Sequence, residues 1–233
     1  MTPNEDTQSR RWARKFFTIW GGQSVSLLGS NLVQFALVWW LTSTTGSATV
    51  LATASLAGIL PQVIIGPFAG ALVDRWNRRL VMIVADALIA LSTLVLIVLY
   101  MLGQMEIWHI YVVMFWRSAL GAFHWTAMQA STSLMVPQAQ LARVAGLNQM
   151  LHGAMGIIAP PLGALLMTLM PLHLILSIDI VTASVAVLPL LFIGIPQPDR
   201  SHELAHPDAA PPSMLADIRA GFRYVRAWPG LLM

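Results

Sequence analysis

The sequence predicts an all-α fold, a polytopic membrane bundle of six transmembrane helices with both termini on the cytoplasmic side. Three observations carry that reading. Of 233 residues, 57% are hydrophobic and only 10% are Asp, Glu, Lys or Arg, against roughly 25% charged in an average soluble domain; the mean hydropathy is +0.69. Formal charge is absent from Phe16 to Val73, a run of 58 residues, and from Val144 to Ile178, a run of 35. Twelve of the 13 Lys and Arg residues fall at the margins of the apolar stretches or between them. A sequence pI near 10.0 does not indicate a nucleic-acid partner here, because a chain this apolar cannot build a water-facing surface. Soluble enzymes and disordered scaffolds are excluded on the same ground, and zero cysteine excludes disulfides, iron–sulfur clusters and thiol catalysis.

A single helix through the first run would be roughly 87 Å long, whereas the hydrocarbon core is about 30 Å thick. The run therefore holds two spans and a turn. Thr42-Ser43-Thr44-Thr45-Gly46-Ser47 supplies the turn, since glycine admits positive φ and hydroxyls satisfy freed backbone groups. Helix 1 is expected near 17–42 and helix 2 near 47–73; the first run is far too long for the apolar region of a cleaved signal. Basic punctuation at Arg75, Arg78 and Arg79 precedes helix 3, near 80–103. The link Gly103-Gln104-Met105-Glu106 leads to helix 4, near 107–133, and Pro137 separates it from helix 5, near 141–170, because the residue before a proline leaves helical geometry. Helix 6 is expected near 173–195.

Residues 1–16 read as a cytoplasmic N-terminal segment, 17–195 as the six-helix domain and 196–233 as a cytoplasmic loop. Prolines 196, 198, 207, 211 and 212 open that loop. A helical pattern resumes beyond Ser213, with Leu215, Ile218, Phe222 and Val225 on one face and Arg219, Arg223 and Arg226 beside it. It predicts an amphipathic helix, either on the inner membrane surface or packed under the bundle.

Positive charge collects in cytoplasmic loops. Arg10, Arg11, Arg14 and Lys15 precede helix 1; Arg75, Arg78 and Arg79 follow helix 2; Arg143 follows helix 4; Arg200, Arg219, Arg223 and Arg226 follow helix 6. The intervening turns carry no Lys or Arg, which places both termini inside. The one basic residue off this pattern is Arg117, within helix 4.

A charge at mid-bilayer costs at least about 2.5–3.5 kcal/mol on insertion scales and marks a functional candidate. Three charges fall inside spans: Asp86, roughly 9 Å from the cytoplasmic end of helix 3, Arg117 near the middle of helix 4, and Asp179 close to the outer end of helix 6. Helices 3 and 4 are antiparallel neighbours, so Asp86 and Arg117 are expected to meet, with a proton or an anionic substrate competing for the pair. A static ion pair is the structural alternative for each. Gln23, Asn31 and Gln34 on helix 1, with Gln129 on helix 4, form a polar stripe suited to lining a solute path or to bonding helices together. His124 and His152 add secondary proton-carrying candidates. The spacing Gly66-x-x-x-Gly70 predicts close helix contact, and Pro160, Pro161 and Gly163 predict a bend in helix 5.

Gly70-Ala71-Leu72-Val73-Asp74-Arg75-Trp76-Asn77-Arg78-Arg79 resembles the G-x-L-A-D-R-x-G-R-R/K motif of the major facilitator superfamily, at the cytoplasmic position that the family gives it. Asn77 stands where the family usually has glycine, and asparagine tolerates the left-handed geometry expected of that turn. Arg117-Ser118-Ala119-Leu120-Gly121 resembles the family's R-x-x-x-G segment, linked there to proton coupling. Ala159-Pro160-Pro161-Leu162-Gly163-Ala164 resembles the antiporter G-P-x-x-G-G, with alanine at both outer glycines. The segments from Gly22 to Ser30 and from Val136 to Asn148 are similar to the branch of drug–proton antiporters that exports macrolides and catecholate siderophores such as enterobactin.

The resemblance implies one half of a twelve-helix fold, built from inverted three-helix repeats, with substrate held at the midplane between two halves. It implies that Gly70, Asp74, Arg75, Arg78 and Arg79 form a gate against the second half and that Arg117 serves proton coupling; under that coupling the in-span carboxylates Asp86 and Asp179 are the candidate proton carriers, with Arg117 tuning their protonation. The expected function is proton-coupled efflux of amphipathic small molecules across a cell membrane, bacterial inner membrane foremost. Trp228-Pro229-Gly230-Leu231-Leu232-Met233 reads as the approach to a seventh helix, so the alternative is a truncated, non-transporting half that needs a second six-helix half or a homodimer. The partners implied are the lipid bilayer, a small-molecule substrate and protons. No cofactor, metal or catalytic residue is implied: the chain has no G-x-S-G segment, no H-E-x-x-H and no phosphate-binding G-x-x-x-x-G-K-[ST] loop.

Overall fold

The computed structural model describes residues 3–197, with side chains from Trp12 onward. These residues form six helices and no strand: α1 (Pro3–Thr45), α2 (Ala48–Val73), α3 (Arg78–Met101), α4 (Ile107–Met135), α5 (Gln138–Leu169) and α6 (Leu172–Phe192). The expected amphipathic helix beyond Ser213 lies outside the described residues. The largest departure from expectation is at the start, where α1 begins at Pro3 rather than near 17. Gln, Arg, Ala and Lys dominate the turns just before the apolar run, and their high helix propensity carries the helix out of the membrane without a break.

The turns follow their local chemistry. Gly46 (φ 61°) and Gly103 (φ 68°) take the left-handed conformation that closes two of the three outer turns. Asn77 does not: at φ −70° and ψ 106° it is extended, and among the described residues no non-glycine has positive φ. Its side chain instead caps α3, accepting from the backbone N–H groups of Arg79 (3.1 Å) and Leu80 (3.3 Å). Asparagine is a strong N-cap where glycine is weaker, which is the physical account of its presence in this loop.

The helices pack in a crosswise pattern. α4 lies against α2 and α3, α1 lies against α5 and α6, and α3 touches α6. The first helix of each three-helix set thus packs on the second and third helices of the other, as an inverted repeat requires. Among the described helices, α4 is the one not apolar enough to qualify as a span on its own; its polar groups Arg117, His124 and Gln129 find partners on α1, α3, α5 and α6. The two largest apolar cores stand at opposite ends of the bundle. The outer one gathers Leu37, Leu41, Leu96, Ile110, Met114, Ile175 and Leu176, and the inner one Ile19, Val73, Met82, Met128 and Leu190. Large apolar side chains such as Leu56, Val63, Leu94 and Val181 are exposed on the outside, as a lipid-facing surface demands.

Gly66 and Gly70 do not mediate the contact expected of their spacing, because a methyl group added at either would meet nothing within 4 Å. The close approaches are elsewhere. A Cβ at Gly22 would lie 3.3 Å from the backbone of Ala186, one at Gly29 would collide with Thr182, and one at Gly163 would lie 2.6 Å from the Phe35 ring. α1 and α6 are therefore in near-backbone contact. α5 runs unbroken through Pro160 and Pro161, which leave the carbonyls of Gly156 and Ile157 without their helical donors.

Candidate functional site

Between the two apolar cores the bundle holds two polar layers. α1 supplies Gln23 and Ser30, α3 supplies Asp86 and Thr93, and α4 supplies Arg117 and His124; each pair is seven residues, or two turns, apart on one helix face. Because α4 runs antiparallel to α1 and α3, Ser30, Thr93 and Arg117 meet in the outer layer, and Gln23, Asp86 and His124 meet about 10 Å further in.

Asp179 of α6 is the centre of the outer layer and is fully buried. Arg117 grips it with both prongs, Nη1 to Oδ2 at 2.5 Å and Nη2 to Oδ1 at 3.3 Å. Ser30 donates to Oδ1 and Thr93 to Oδ2, each at 2.9 Å, and Arg117 Nη1 also donates to Thr93 Oγ1. Each carboxylate oxygen accepts two hydrogen bonds, which is what allows a charge to persist in so dry a place.

The inner layer is a closed triangle. Gln23 Nε2 donates to Asp86 Oδ2 at 3.3 Å, Gln23 Oε1 lies 2.8 Å from His124 Nε2, and His124 Nε2 lies 3.4 Å from Asp86 Oδ1. The expected pairing of Asp86 with Arg117 is thus corrected: Asp86 faces His124, and Arg117 faces Thr93 and Asp179. The register of the α3–α4 hairpin decides this. Asp86 and His124 stand nineteen positions either side of Met105, and Thr93 and Arg117 stand twelve either side.

A cavity of about 340 Å³ opens beside both layers. Gln23, Ser26, Asn31 and Gln34 of α1 stand on one wall, Arg117, Ser118, His124 and Trp125 of α4 on the facing wall, and Gln62, Asp86 and His152 add polar groups from α2, α3 and α5. His152 meets Trp125 edge to face with ring centroids 4.2 Å apart, which brings α5 to the rim. Three of the four expected path residues, Gln23, Asn31 and Gln34, therefore line the cavity. Gln129 does not: it is exposed, and its Oε1 accepts from Asn148 Nδ2 at 3.0 Å, while Asn148 Oδ1 accepts from Trp20 Nε1 at 2.8 Å. That relay ties α4, α5 and α1 together nearer the inner end.

The inner loop forms contacts within this half. Arg78 reaches Asp74 at 3.0 Å and the carbonyl of Ala130 at 3.5 Å. Arg79 donates through Nε to the carbonyl of Leu190 and through Nη2 to that of Leu191 at 2.6 Å, capping the C-terminal end of α6. Gly70 accepts the Asp74 backbone N–H at the end of α2, and the Arg75 N–H donates to Leu72. Sequence reading overlooked Ser30 and Thr93 as ligands of Asp179, and Gln62 and Trp125 as lining. The seven-residue spacing of polar groups on α1, α3 and α4 was the signal for the first two. Asp179 itself has no such marker, since α6 joins the layer only through tertiary packing.

Macrolide efflux protein A of Streptococcus pyogenes is 38% identical to this chain over 221 residues, 94% of this chain and 53% of that protein. Macrolide efflux protein A of Enterococcus faecalis is 36% identical over 187 residues, 80% of this chain and 56% of that protein. YkuC, an uncharacterised MFS-type transporter of Bacillus subtilis, is 24% identical over 220 residues, covering 94% of this chain and 50% of its own length. The chain spans about half the length of the curated relatives it matches. No solved structure matches it significantly. With an all-helical bundle arranged around a polar cavity, and with residues 19–233 matching the family's sequence profile, the chain belongs to the Major Facilitator Superfamily.

Proposed function

We propose that this multi-pass transporter exports amphipathic small molecules, of the macrolide, drug or siderophore kind, across a bacterial inner membrane in exchange for protons. The observation that carries the reading is the cavity of about 340 Å³ flanked by ionisable groups on three helices. Amides and hydroxyls from α1, a tryptophan from α4 and a carboxylate from α3 suit a substrate that is both greasy and hydrogen-bonding, and intramembrane carboxylates and imidazoles suit proton transfer. The names of the two closely similar relatives point to macrolides. Asp86 lines the cavity, whereas Asp179 is sealed behind Arg117, so proton exchange with the substrate path belongs to Asp86 first.

A second reading is supported by the half-length match to the relatives: the chain works only beside a second six-helix half, or as a homodimer, with Gly70, Asp74, Arg75, Arg78 and Arg79 gating against that partner. One experiment decides both. Retention of radiolabelled erythromycin is measured in macrolide-sensitive cells carrying the chain alone, or the chain with the C-terminal half of the streptococcal relative, with and without a protonophore. Protonophore-sensitive loss of label with the chain alone supports export by copies of this half. Loss only on co-expression supports the two-half reading, and unchanged retention in both arms overturns the function.

A further inference from the structure

Gln23 fixes the protonation pattern of the inner layer. Its amide nitrogen is the group facing the Asp86 carboxylate, which can only accept, so its carbonyl oxygen is the atom facing His124. His124 Nε2 then looks at two acceptors, the Gln23 carbonyl at 2.8 Å and the Asp86 carboxylate at 3.4 Å. A nitrogen between two acceptors carries the hydrogen, and Nδ1 is left as the position for a second proton.

The charges around this triangle are few. From α4, Arg117 lines the same cavity, but its charge is matched by Asp179 of α6 behind it. From α5, His152 reaches the rim and is engaged with the Trp125 ring. α1 and α2 contribute the uncharged Gln23 and Gln62. With His124 neutral, the uncompensated charge facing the cavity is therefore the Asp86 carboxylate. With His124 doubly protonated, that charge is neutralised at 3.4 Å.

We propose that Asp86 and His124 form one exchange site, which holds either a second proton on His124 or the ammonium group of an amphipathic amine substrate against Asp86, and not both. The inference rests on the proton-coupled export proposed above and names its substrate class: amines whose polar, hydroxyl-bearing body meets the amides of α1 and whose cation meets Asp86. Placing two cations beside one carboxylate in a low-dielectric cavity is disfavoured by their mutual repulsion, so arrival of the proton releases the amine. A proton added at Nδ1 and an amine released balance in charge. Arg117, the residue singled out by the family-like segment, is on this geometry a fixed tie and not the exchanging group.

The test uses the 233-residue chain in lipid nanodiscs, with erythromycin as a tertiary-amine probe and its neutral N-acetyl-N-desmethyl derivative as the control. The amine's affinity is expected to fall at least ten-fold between pH 8 and pH 6, while the control changes less than two-fold. Asp86→Asn is expected to cost the amine at least ten-fold more than the control at pH 8, Asp86→Glu to keep the preference, and His124→Gln to remove the pH dependence. Equal losses for both probes in Asp86→Asn, or pH dependence that survives His124→Gln, overturn the site. Nitrogen NMR of histidine-labelled protein, with the His124 signals identified by their loss in His124→Gln, reads the proton directly. A titration whose midpoint moves by a pH unit or more in Asp86→Asn upholds the exchange site, and signals unmoved by pH or by that variant overturn it. If neither macrolide binds the unchanged chain, the proposed substrate class fails, and the NMR titration still decides whether Asp86 and His124 share a proton.

Discussion

Arg117 and Asp179 stand 62 positions apart in the chain and meet as a two-pronged ion pair, at 2.5 Å and 3.3 Å, in a place where the carboxylate has no exposed surface. Removing one partner leaves the other charged and buried, a loss of about 3–5 kcal/mol for such pairs, whereas replacing both with apolar groups of similar size is often neutral. Arg117→Ala and Asp179→Ala are each expected to lower the unfolding temperature in detergent sharply, and the double variant Arg117→Met/Asp179→Leu to recover most of it. A double variant no more stable than the singles would show that the pair does not act as a tie.

Gly29, where α1 packs on α6, and Gly153 of α5 give a contrast between two glycines. Gly29→Ala drives a methyl into Thr182 and is expected to cost about 1–3 kcal/mol, the usual range for overpacking. Gly153→Ala meets open space and is expected to gain up to about 1 kcal/mol from helix propensity. Thermal unfolding of the two variants side by side checks both signs.

Arg79 caps α6 through the carbonyls of Leu190 and Leu191. Arg79→Ala is expected to free the last turn of α6 and to cost about 1.5–3 kcal/mol, the range for hydrogen bonds made by charged groups. Arg79→Lys should restore only part, because lysine offers a point charge in place of a fork. Hydrogen exchange over residues 190–197 is the direct readout, and unchanged protection in Arg79→Ala would remove the capping role.

The chain has no cysteine of its own, so single introduced thiols report topology without background. Gln104→Cys, in the outer turn, is expected to react with a membrane-impermeant maleimide in intact cells. Gln138→Cys, at the start of α5 on the inner side, should react only after permeabilisation. The reverse pattern would invert the orientation read from the basic loops.

Much of the site was legible in part. The residue types were all visible: Asp86, Arg117 and Asp179 stand out because the other charges lie at or near the span ends. Their pairing was not, although the α3–α4 half of it was open to the hairpin arithmetic about Met105, which sets Asp86 opposite His124. Gly66 and Gly70 misled because a spacing of four says only that two small residues share a helix face. Whether a partner helix lies on that face is a tertiary matter, and in this half the contacts fall at Gly22, Gly29, Gly58 and Gly163. Asn77 misled in a smaller way, since one side chain supports both left-handed turns and N-caps and the backbone chose the second.

The chain's one-dimensional pattern determined that it spans a membrane, how many helices its described residues form and where they turn. Those properties depend on run lengths of apolar residues, on basic residues at the ends of runs, and on glycine and proline acting on their immediate neighbours. Tertiary structure alone decided which polar group meets which. In a bilayer the surroundings are as apolar as the helices, so water does not dictate which helix face turns inward; that is settled by close backbone approach and by the need of each buried charge for a partner. Asp179 finds Arg117, Ser30 and Thr93 across three helices, and Asp86 is left to His124 and the cavity.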